Sequence, residues 1–163
     1  MASQQELAAL QGRIQALEDE RDILRTFYTY SHTIDYGKTR EWSECFTVDG
    51  VFNVFMVDGT PVHRENNRTE LKAYLASKLT PPEVYDKHIL AAPVIKIAGE
   101  KATAESFFIA IGDAGQGPLV FTFGRYKDTL VKEKGKWLIK ERKAETETRT
   151  PGFTRTRKAA KPA

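Results

Sequence analysis

The stretch from Phe27 to Phe52, FYTYSHTIDYGKTREWSECFTVDGVF, decides how the rest of the chain is organised. It contains the end of a long helix, a polar turn, a short second helix and the start of a strand. Tyr30 lies on an apolar stripe with Ile23 and Ile34, so its side chain should point into the protein. A buried phenol needs a hydrogen-bond partner or a hydrated cavity. Asp35 follows five residues later, near the predicted end of the helix.

Length and composition indicate one soluble domain in a reducing compartment. A chain of 163 residues with 40% apolar and 29% charged side chains can bury a core of its own. No apolar run is long enough to span a membrane, and the N-terminus MASQQEL does not have the pattern of a secretory signal. The single cysteine, Cys45, excludes an internal disulfide, fits a cytoplasmic protein and is interpreted as a buried, unreactive thiol.

The net charge of +3 is a property of the C-terminal segment. Residues 150–163 contain four basic and no acidic side chains, so residues 1–149 carry a net charge of −1. We predict a single domain over residues 1–149, followed by a basic, disordered tail over residues 150–163. Four cations without interleaved aromatic residues do not indicate nucleic-acid binding.

The first helix carries a second apolar seam, nearer the N-terminus. Ser3 and Glu6 form the capping-box pattern that starts a helix. The seam has the three- and four-residue spacing of a short coiled coil and consists of Leu7, Leu10, Ile14 and Leu17. It is too short for an independent coiled coil, but it could pack on the domain or on another subunit. Together with an exposed sheet face it suggests a homodimer or homotrimer. Because the stripe changes phase beyond this seam, we predict that the helix kinks or breaks near residues 18–21.

Helices come first and antiparallel hairpins afterwards, which is typical of an α+β fold. A third helix, RTELKAYLASKL, is followed by strand-rich segments at about Val84–Ala98, Lys101–Gly112, Leu119–Val131 and Lys136–Glu147. In the second of these segments small residues alternate with larger ones, which leaves room for a helix or a ligand on one face. Pro93 and a change of apolar phase predict a β-bulge in the first. A sheet bent in this way around a helix would form a conical pocket.

Four motifs together resemble the SnoaL-like branch of the nuclear-transport-factor-2-like superfamily. They are Y-x4-D-x6-W-x3-F-x2-DG in Tyr30–Gly50, KH-x4-P in Lys87–Pro93, GRY in Gly124–Tyr126 and GKWLIKER in Gly135–Arg142. The resemblance covers about residues 5–145. It implies a cone-shaped, strongly curved mixed sheet, largely antiparallel, wrapped around N-terminal helices. Within that branch the pattern is similar to scytalone dehydratase and to bile-acid dehydratases, which are cofactor-free lyases that remove water from hydroxylated ring ketones.

The resemblance also implies a set of site residues. Tyr30, Asp35 and His88 match the tyrosine, aspartate and histidine that these dehydratases use for catalysis. Their second polar pocket group falls near Ala110 or Ile111 here, where no polar side chain stands. The arginine of the last strand in bile-acid dehydratases corresponds to Arg142 or Arg149. The substrate-binding residues that we predict are Arg142, Phe55, Phe108 and Trp42.

The residues themselves fit the same chemistry. Abstraction of a proton next to a carbonyl needs a base that titrates near neutral pH, which a histidine supplies. A carboxylate on its other nitrogen would fix the tautomer, and a tyrosine hydroxyl could stabilise the enolate. His32 is predicted to be exposed, and His63 is assigned to a loop. The three histidines lack the close spacing of zinc ligands, and no nucleotide-binding fingerprint is present, so no metal and no cofactor are expected.

Two classes of function follow. The first is a cofactor-independent lyase or isomerase, dehydratase-like, that acts on an apolar hydroxylated ring ketone such as a polyketide or a steroid. The second is a non-catalytic module of the same fold that binds a small molecule or serves in assembly. A cavity on which Tyr30, Asp35 and His88 converge would favour the first, and a cone sealed by bulky side chains would favour the second.

Overall fold

The computed structural model describes residues 3–113, 115 and 117–154. The first helix, α1 (Gln4–Ile34), starts at the predicted capping box, in which Ser3 accepts from the backbone of Glu6 and Glu6 accepts from that of Ser3. It ends at Asp35, and Gly37 follows with a φ of 62°, a conformation that glycine adopts without strain. None of the described helices combines the length and the apolar composition needed to cross a membrane.

Helix α1 runs unbroken, so the predicted break at residues 18–21 is absent. The phase of the apolar stripe changes there because the helix passes from solvent onto the sheet. Asp19 marks the passage, since its carboxylate accepts hydrogen bonds from Lys132 Nζ at 2.6 Å and from Trp137 Nε1 at 2.9 Å. Beyond this point the inward side chains Ile23, Phe27 and Tyr30 are completely buried.

The N-terminal half of α1 exposes the seam of Leu7, Leu10, Ile14 and Leu17, each about half exposed or more. A helical segment without tertiary contacts is marginally stable in water, so we expect a second copy to cover the seam. Light scattering at micromolar concentration should give a multiple of the 18.4 kDa monomer mass. Leu10→Ser/Leu17→Ser should weaken this association, and Gln5→Ser/Gln15→Ser should not. A wild-type mass of 18.4 kDa would contradict the prediction.

Two short helices and a hairpin complete the first half of the domain. Helix α2 (Thr39–Ser43) leads into β1 (Phe46–Met56), which pairs antiparallel with β2 (Pro61–Glu65). Helix α3 (Arg68–Ala76) starts at Asn67, whose side chain accepts from the backbone of Thr69 and Glu70. These elements place β2 and α3 side by side at one end of the sheet.

The second half consists of β3 (Lys87–Ala98), β4 (Lys101–Asp113), β5 (Pro118–Glu133) and β6 (Lys136–Arg149). The six strands form one mixed sheet in the order β2-β1-β6-β5-β4-β3, in which the pairing of β1 with β6 is parallel and the others are antiparallel. The predicted α+β class with a curved sheet is thereby confirmed. Strands β2 and β3 are its two edges.

Bulges and a close approach of two strands bend the sheet. The pairing of β3 with β4 shifts between Ala91 and Val94, which confirms the bulge predicted at Pro93. The pairing of β5 with β6 shifts at Gly124, where a Cβ atom would lie 2.0 Å from the carbonyl oxygen of Glu145. Because any other residue would collide with the neighbouring backbone, glycine is required at this position.

The core lies between α1 and the concave face of the sheet. Its largest completely buried apolar side chains include Trp42, Phe46 and Trp137. Strand β4 turns its small residues toward this face, as its alternation predicts, since Ala102, Ala104, Ser106 and Ala110 are all buried. Small side chains opposite a helix leave space above the sheet, and the cavity described below occupies part of that space.

The start of the basic C-terminal segment differs from the predicted disorder. Thr150 donates its backbone N–H to the carbonyl of Phe121 at 2.8 Å, and the Phe153 ring stacks on Phe121 with centroids 4.5 Å apart. Apolar periodicity in the sequence does not indicate this contact, because a single aromatic side chain, that of Phe153, makes it. Residues 155–163, which contain all four basic side chains of the segment, lie outside the described residues.

Candidate active site

A cavity of about 460 Å³ lies between the concave face of the sheet and the helices α1 and α3. All six strands of the sheet contribute side chains to its wall. Tyr30, Asp35 and His88 are all among the lining residues. The structure therefore brings the three predicted catalytic side chains to one cavity, and their catalytic role stays a prediction.

Asp35 and His88 form a tight pair on this wall. Asp35 terminates α1, and His88 is the second residue of β3. The imidazole Nδ1 lies 2.6 Å from Asp35 Oδ1, and the backbone N–H of His88 donates to both carboxylate oxygens at 3.1 and 2.9 Å. Because the carboxylate can only accept, Nδ1 carries the hydrogen and Nε2 is the basic nitrogen. The Asp35 side chain is 5% exposed and that of His88 is 23% exposed, so solutes reach the histidine rather than the carboxylate.

Tyr30 belongs to the inner wall and is completely buried. Its ring packs against Trp42 and Phe46, with centroids 5.7 and 6.0 Å away. Arg142 and Tyr126 approach its hydroxyl, but no contact has the geometry of a full hydrogen bond. Burial raises the pKa of Tyr30 to about 12, although Arg142 acts in the opposite direction. The phenol is therefore protonated at neutral pH and keeps a hydrogen to donate, although its oxygen has almost no accessible surface.

Arg142 lies behind the cavity and packs on two phenol rings. Its guanidinium carbon is 4.1 Å from the ring centroids of both Tyr30 and Tyr126. Nε and Nη2 donate to the two carboxylate oxygens of Asp128 at 2.8 and 2.7 Å, and both side chains are completely buried. Burial raises the pKa of the Asp128 carboxyl, but the permanently charged guanidinium opposes this effect, and the bidentate geometry is that of an ion pair. Arg142 thus holds a fixed positive charge beside the Tyr30 ring, and its Nη1 has no hydrogen-bond partner.

A second histidine–carboxylate pair lies on the other edge strand. His63 and Glu65 are alternate residues of β2, and His63 Nδ1 is 3.0 Å from Glu65 Oε2. His63 Nε2 is 3.2 Å from the hydroxyl of Tyr74 in α3. His63 and Tyr74 both line the cavity. The cavity consequently has a histidine–carboxylate pair at each edge of the sheet.

Neither Cys45 nor a cluster of metal ligands forms a further site in the described part of the chain. Burial raises the pKa of the Cys45 thiol to about 12, so this side chain is protonated and unreactive at neutral pH. Within residues 3–113, 115 and 117–154 no three histidine, cysteine, aspartate or glutamate side chains are close enough together to hold a metal ion.

A family model described as a SnoaL-like domain matches residues 15–143, which is most of the chain. The chain belongs to the SnoaL-like family. The matched range includes the Asp35–His88 contact and the His63–Tyr74 contact. It confirms the resemblance seen in the four sequence motifs. None of the curated proteins matches the sequence.

Solved structures share the fold of this SnoaL-like domain. A nuclear-transport-factor-2-like protein with a cystatin-like fold, from Novosphingobium aromaticivorans, is 19% identical with a TM-score of 0.76, and the match covers 94% of each chain. A provisionally assigned scytalone dehydratase from the same organism is 22% identical with a TM-score of 0.72, covering 91% of this chain and 97% of that one. A protein of unknown function from Mycobacterium tuberculosis is 25% identical with a TM-score of 0.69, covering 85% and 75%.

The four predicted substrate-binding residues of the SnoaL-like domain have different positions. Phe108 lines the cavity and stacks on Tyr126 with centroids 4.7 Å apart. Trp42 and Arg142 are completely buried behind the wall, and Phe55 is half-buried and does not line it. Phe55 follows Val54, which does line the cavity, and successive strand residues point to opposite faces. Arg149, the other arginine that the motif left open, is a lining residue.

Sequence reasoning missed the site formed by His63, Glu65 and Tyr74. The sequence prediction places His63 in a loop, whereas the structure places it in β2, a strand of only five residues that starts with a proline. The alternation of His63 and Glu65 with exposed residues is the signal that could have placed both on one strand face. It is short, and it does not tell which face of the sheet is the inner one.

Proposed function

We propose that this SnoaL-like domain is a cofactor-independent lyase or isomerase that transfers a proton next to the carbonyl group of a hydroxylated ring ketone. The observation that carries the proposal is the 2.6 Å contact of Asp35 with His88 Nδ1 on the wall of the cavity. This contact leaves Nε2 as the basic nitrogen of a side chain that lines the cavity. The structural neighbour assigned as a scytalone dehydratase supports the dehydratase form of the reaction.

His88 and Asp35 perform the first step. His88 Nε2 takes a proton from the carbon next to the carbonyl, and the electrons of the C–H bond move to the carbonyl oxygen as an enolate. The imidazolium that forms is stabilised by the Asp35 carboxylate, which already accepts the Nδ1 hydrogen. The carboxylate is also held by the backbone N–H of His88, so its position is fixed before the substrate binds.

Tyr30 and Arg142 stabilise the enolate. The Tyr30 hydroxyl, protonated at neutral pH, donates a hydrogen bond to the enolate oxygen. The buried charge of Arg142, 4.1 Å from the ring centroid, favours negative charge on and near the phenol oxygen. Tyr126, whose ring centroid is likewise 4.1 Å from the guanidinium carbon, lines the same cavity.

The second step decides between dehydration and isomerisation. In dehydration the enolate re-forms the carbonyl and expels the hydroxyl group on the next carbon, which takes the proton from the imidazolium and leaves as water. In isomerisation the imidazolium returns the proton to a different carbon. The alternative of a non-catalytic binding module has less support, because the cavity is open rather than sealed by bulky side chains and has the Asp35–His88 pair on its wall.

The test is turnover of a β-hydroxy ring ketone and its dependence on Tyr30. With 3-hydroxy-1-tetralone as substrate, dehydration yields 1-naphthol, which absorbance reports directly. Tyr30→Phe should lower kcat by about 10²–10³-fold with little change in KM, because the hydroxyl acts on the enolate rather than on the ground state. Tyr28→Phe is the matched control, since Tyr28 lies on the same helix and is exposed.

In deuterium oxide, 1-tetralone provides a second readout, because it has the carbonyl but no leaving hydroxyl. Deuterium uptake at the carbon next to its carbonyl should occur with wild-type protein even if elimination is slow. If neither ketone turns over or exchanges while both bind, the proposed function is wrong and the binding module takes its place.

A further inference from the structure

The side of the cavity formed by β2 and α3 contains polar groups that the proposed reaction does not use. His63 belongs to β2 and His88 to β3, and these strands are the opposite edges of the six-stranded sheet. Both histidines line the cavity, each with a carboxylate at Nδ1. A ligand in the cavity can therefore meet one histidine from each edge strand, and each of these histidines is paired with a carboxylate.

The pair on β2 is built into the aromatic wall and is not a surface ion pair. The His63 ring stacks on Tyr74 with centroids 4.6 Å apart and packs edge-on against Phe52 at 5.4 Å. The Glu65 side chain is 12% exposed, and its carboxylate accepts from His63 Nδ1. Polar groups half-buried among aromatic rings are stable only where they bond to one another, and these do.

The bonds also determine what the wall offers to a ligand. Glu65 can only accept, so Nδ1 of His63 carries the hydrogen and neutral Nε2 accepts from the Tyr74 hydroxyl. A phenol oxygen that donates its hydrogen can still accept one. If His63 gains a proton, Nε2 donates to the Tyr74 oxygen, and the phenol hydrogen can turn toward a ligand. A ligand hydroxyl, which both donates and accepts, suits the pair in either state.

The neighbourhood of His88 explains why such a second contact would be needed. His88 pairs with Ala110 on β4, so the strand next to it has no polar side chain at that register. We infer that the His63–Tyr74 pair binds a hydroxyl group of the ligand on the side of the cavity away from His88. The ligand class is then a ring compound with a second oxygen substituent besides the one on the side of His88. This assignment rests on the proposed function for the cavity as the substrate site, but it can be tested without turnover.

Calorimetric titration with two naphthols tests the assignment. 2-Naphthol has one hydroxyl group, and 2,6-dihydroxynaphthalene has a hydroxyl group at each end. Wild-type protein should bind the diol about tenfold more tightly, as expected for one added hydrogen bond. Tyr74→Phe should remove this preference and change the Kd of 2-naphthol by less than about twofold, since the ring that stacks on His63 is kept.

Four further variants identify the cause of any change. His63→Phe should also remove the preference for the diol, and Tyr74→Phe/His63→Phe should lose no more than either single variant, because the two side chains act as one unit. His88→Ala should weaken both naphthols by a similar factor. Tyr36→Phe, on an exposed ring outside the cavity, should change neither Kd.

Three outcomes overturn the inference: equal binding of the two naphthols by wild-type protein, an equal loss for both naphthols in Tyr74→Phe, or no binding of either at millimolar concentration. The proposed function can fail independently of this inference. If the diol is preferred but no ring ketone turns over or exchanges, the second contact stands and the reaction does not. If turnover occurs without the preference, the reaction stands and the second contact does not.

Discussion

Replacing His88 by alanine should reduce turnover of a ring ketone by about 10²–10⁴-fold, the usual contribution of a general base. The imidazole is the group that accepts the substrate proton, and Asp35 is too buried to replace it. The backbone N–H of His88 still donates to the Asp35 carboxylate in this variant, so the end of α1 and the start of β3 stay joined. The measurement is kcat/KM at neutral pH, together with the thermal midpoint.

Two variants complete the test of His88. His32→Ala is the matched control, because His32 lies on α1 close to Asp35 and is exposed. It should keep wild-type activity. Asp35→Asn should lower kcat less than His88→Ala and should also reduce stability, since one amide oxygen replaces two carboxylate oxygens as acceptor for the His88 backbone. Activity of His88→Ala within about threefold of wild type would rule out His88 as the base.

Arg142→Met should lower the free energy of unfolding by about 3–5 kcal/mol, because it leaves the Asp128 carboxylate buried without its partner. Arg142 and Asp128 are both completely buried, so water cannot replace the lost contact. Urea unfolding at one fixed protein concentration measures the effect, since an associating protein gains stability with concentration. The same variant should also lower turnover, because the charge beside Tyr30 is lost.

Comparison variants separate the stability cost of an unpaired buried carboxylate from the effect of the Arg142 charge on turnover. Arg142→Met/Asp128→Leu should recover most of the stability lost in the single variant, since an apolar pair of similar volume replaces the ion pair. It should not recover the activity. Arg125→Met removes a more exposed arginine that pairs with Glu145 and Glu147, and it should cost at most about 1 kcal/mol. A cost of less than about 1 kcal/mol for Arg142→Met would show that the buried pair does not stabilise the domain.

The parts of the site that the sequence predicts are those with a regular local signal. Tyr30 lies on a helical apolar stripe, and Asp35 stands where that helix ends, so both positions follow from a period of 3.6 residues. His88 precedes a proline and a phase change in a long strand. The strands, and the small residues on the inward face of β4, follow in the same way from the two-residue alternation of side chains.

The parts that the sequence does not predict depend on packing between distant strands. The sequence predicts that Arg142 binds the substrate, whereas its bidentate pair with Asp128 depends on the register of β5 against β6, where both residues are partners. The inward face of β2 depends on α3 packing over it, which a five-residue strand cannot indicate. Continuity of α1 across residues 18–21 depends on Lys132 and Trp137, more than a hundred residues later.

The parallel pairing of β1 with β6 has a consequence for the order in which the domain can form. Strand β1 follows the first two helices, whereas β6 is made last, yet they are neighbours in the middle of the sheet. During synthesis the β1–β2 hairpin must therefore wait, with one edge unpaired, until Lys136–Arg149 leaves the ribosome. Loop closure over most of the domain precedes this pairing, which slows folding relative to proteins with local contacts. Until then Phe52 and Tyr30 have no completed sheet to pack against, and the nascent chain is at its most prone to aggregate.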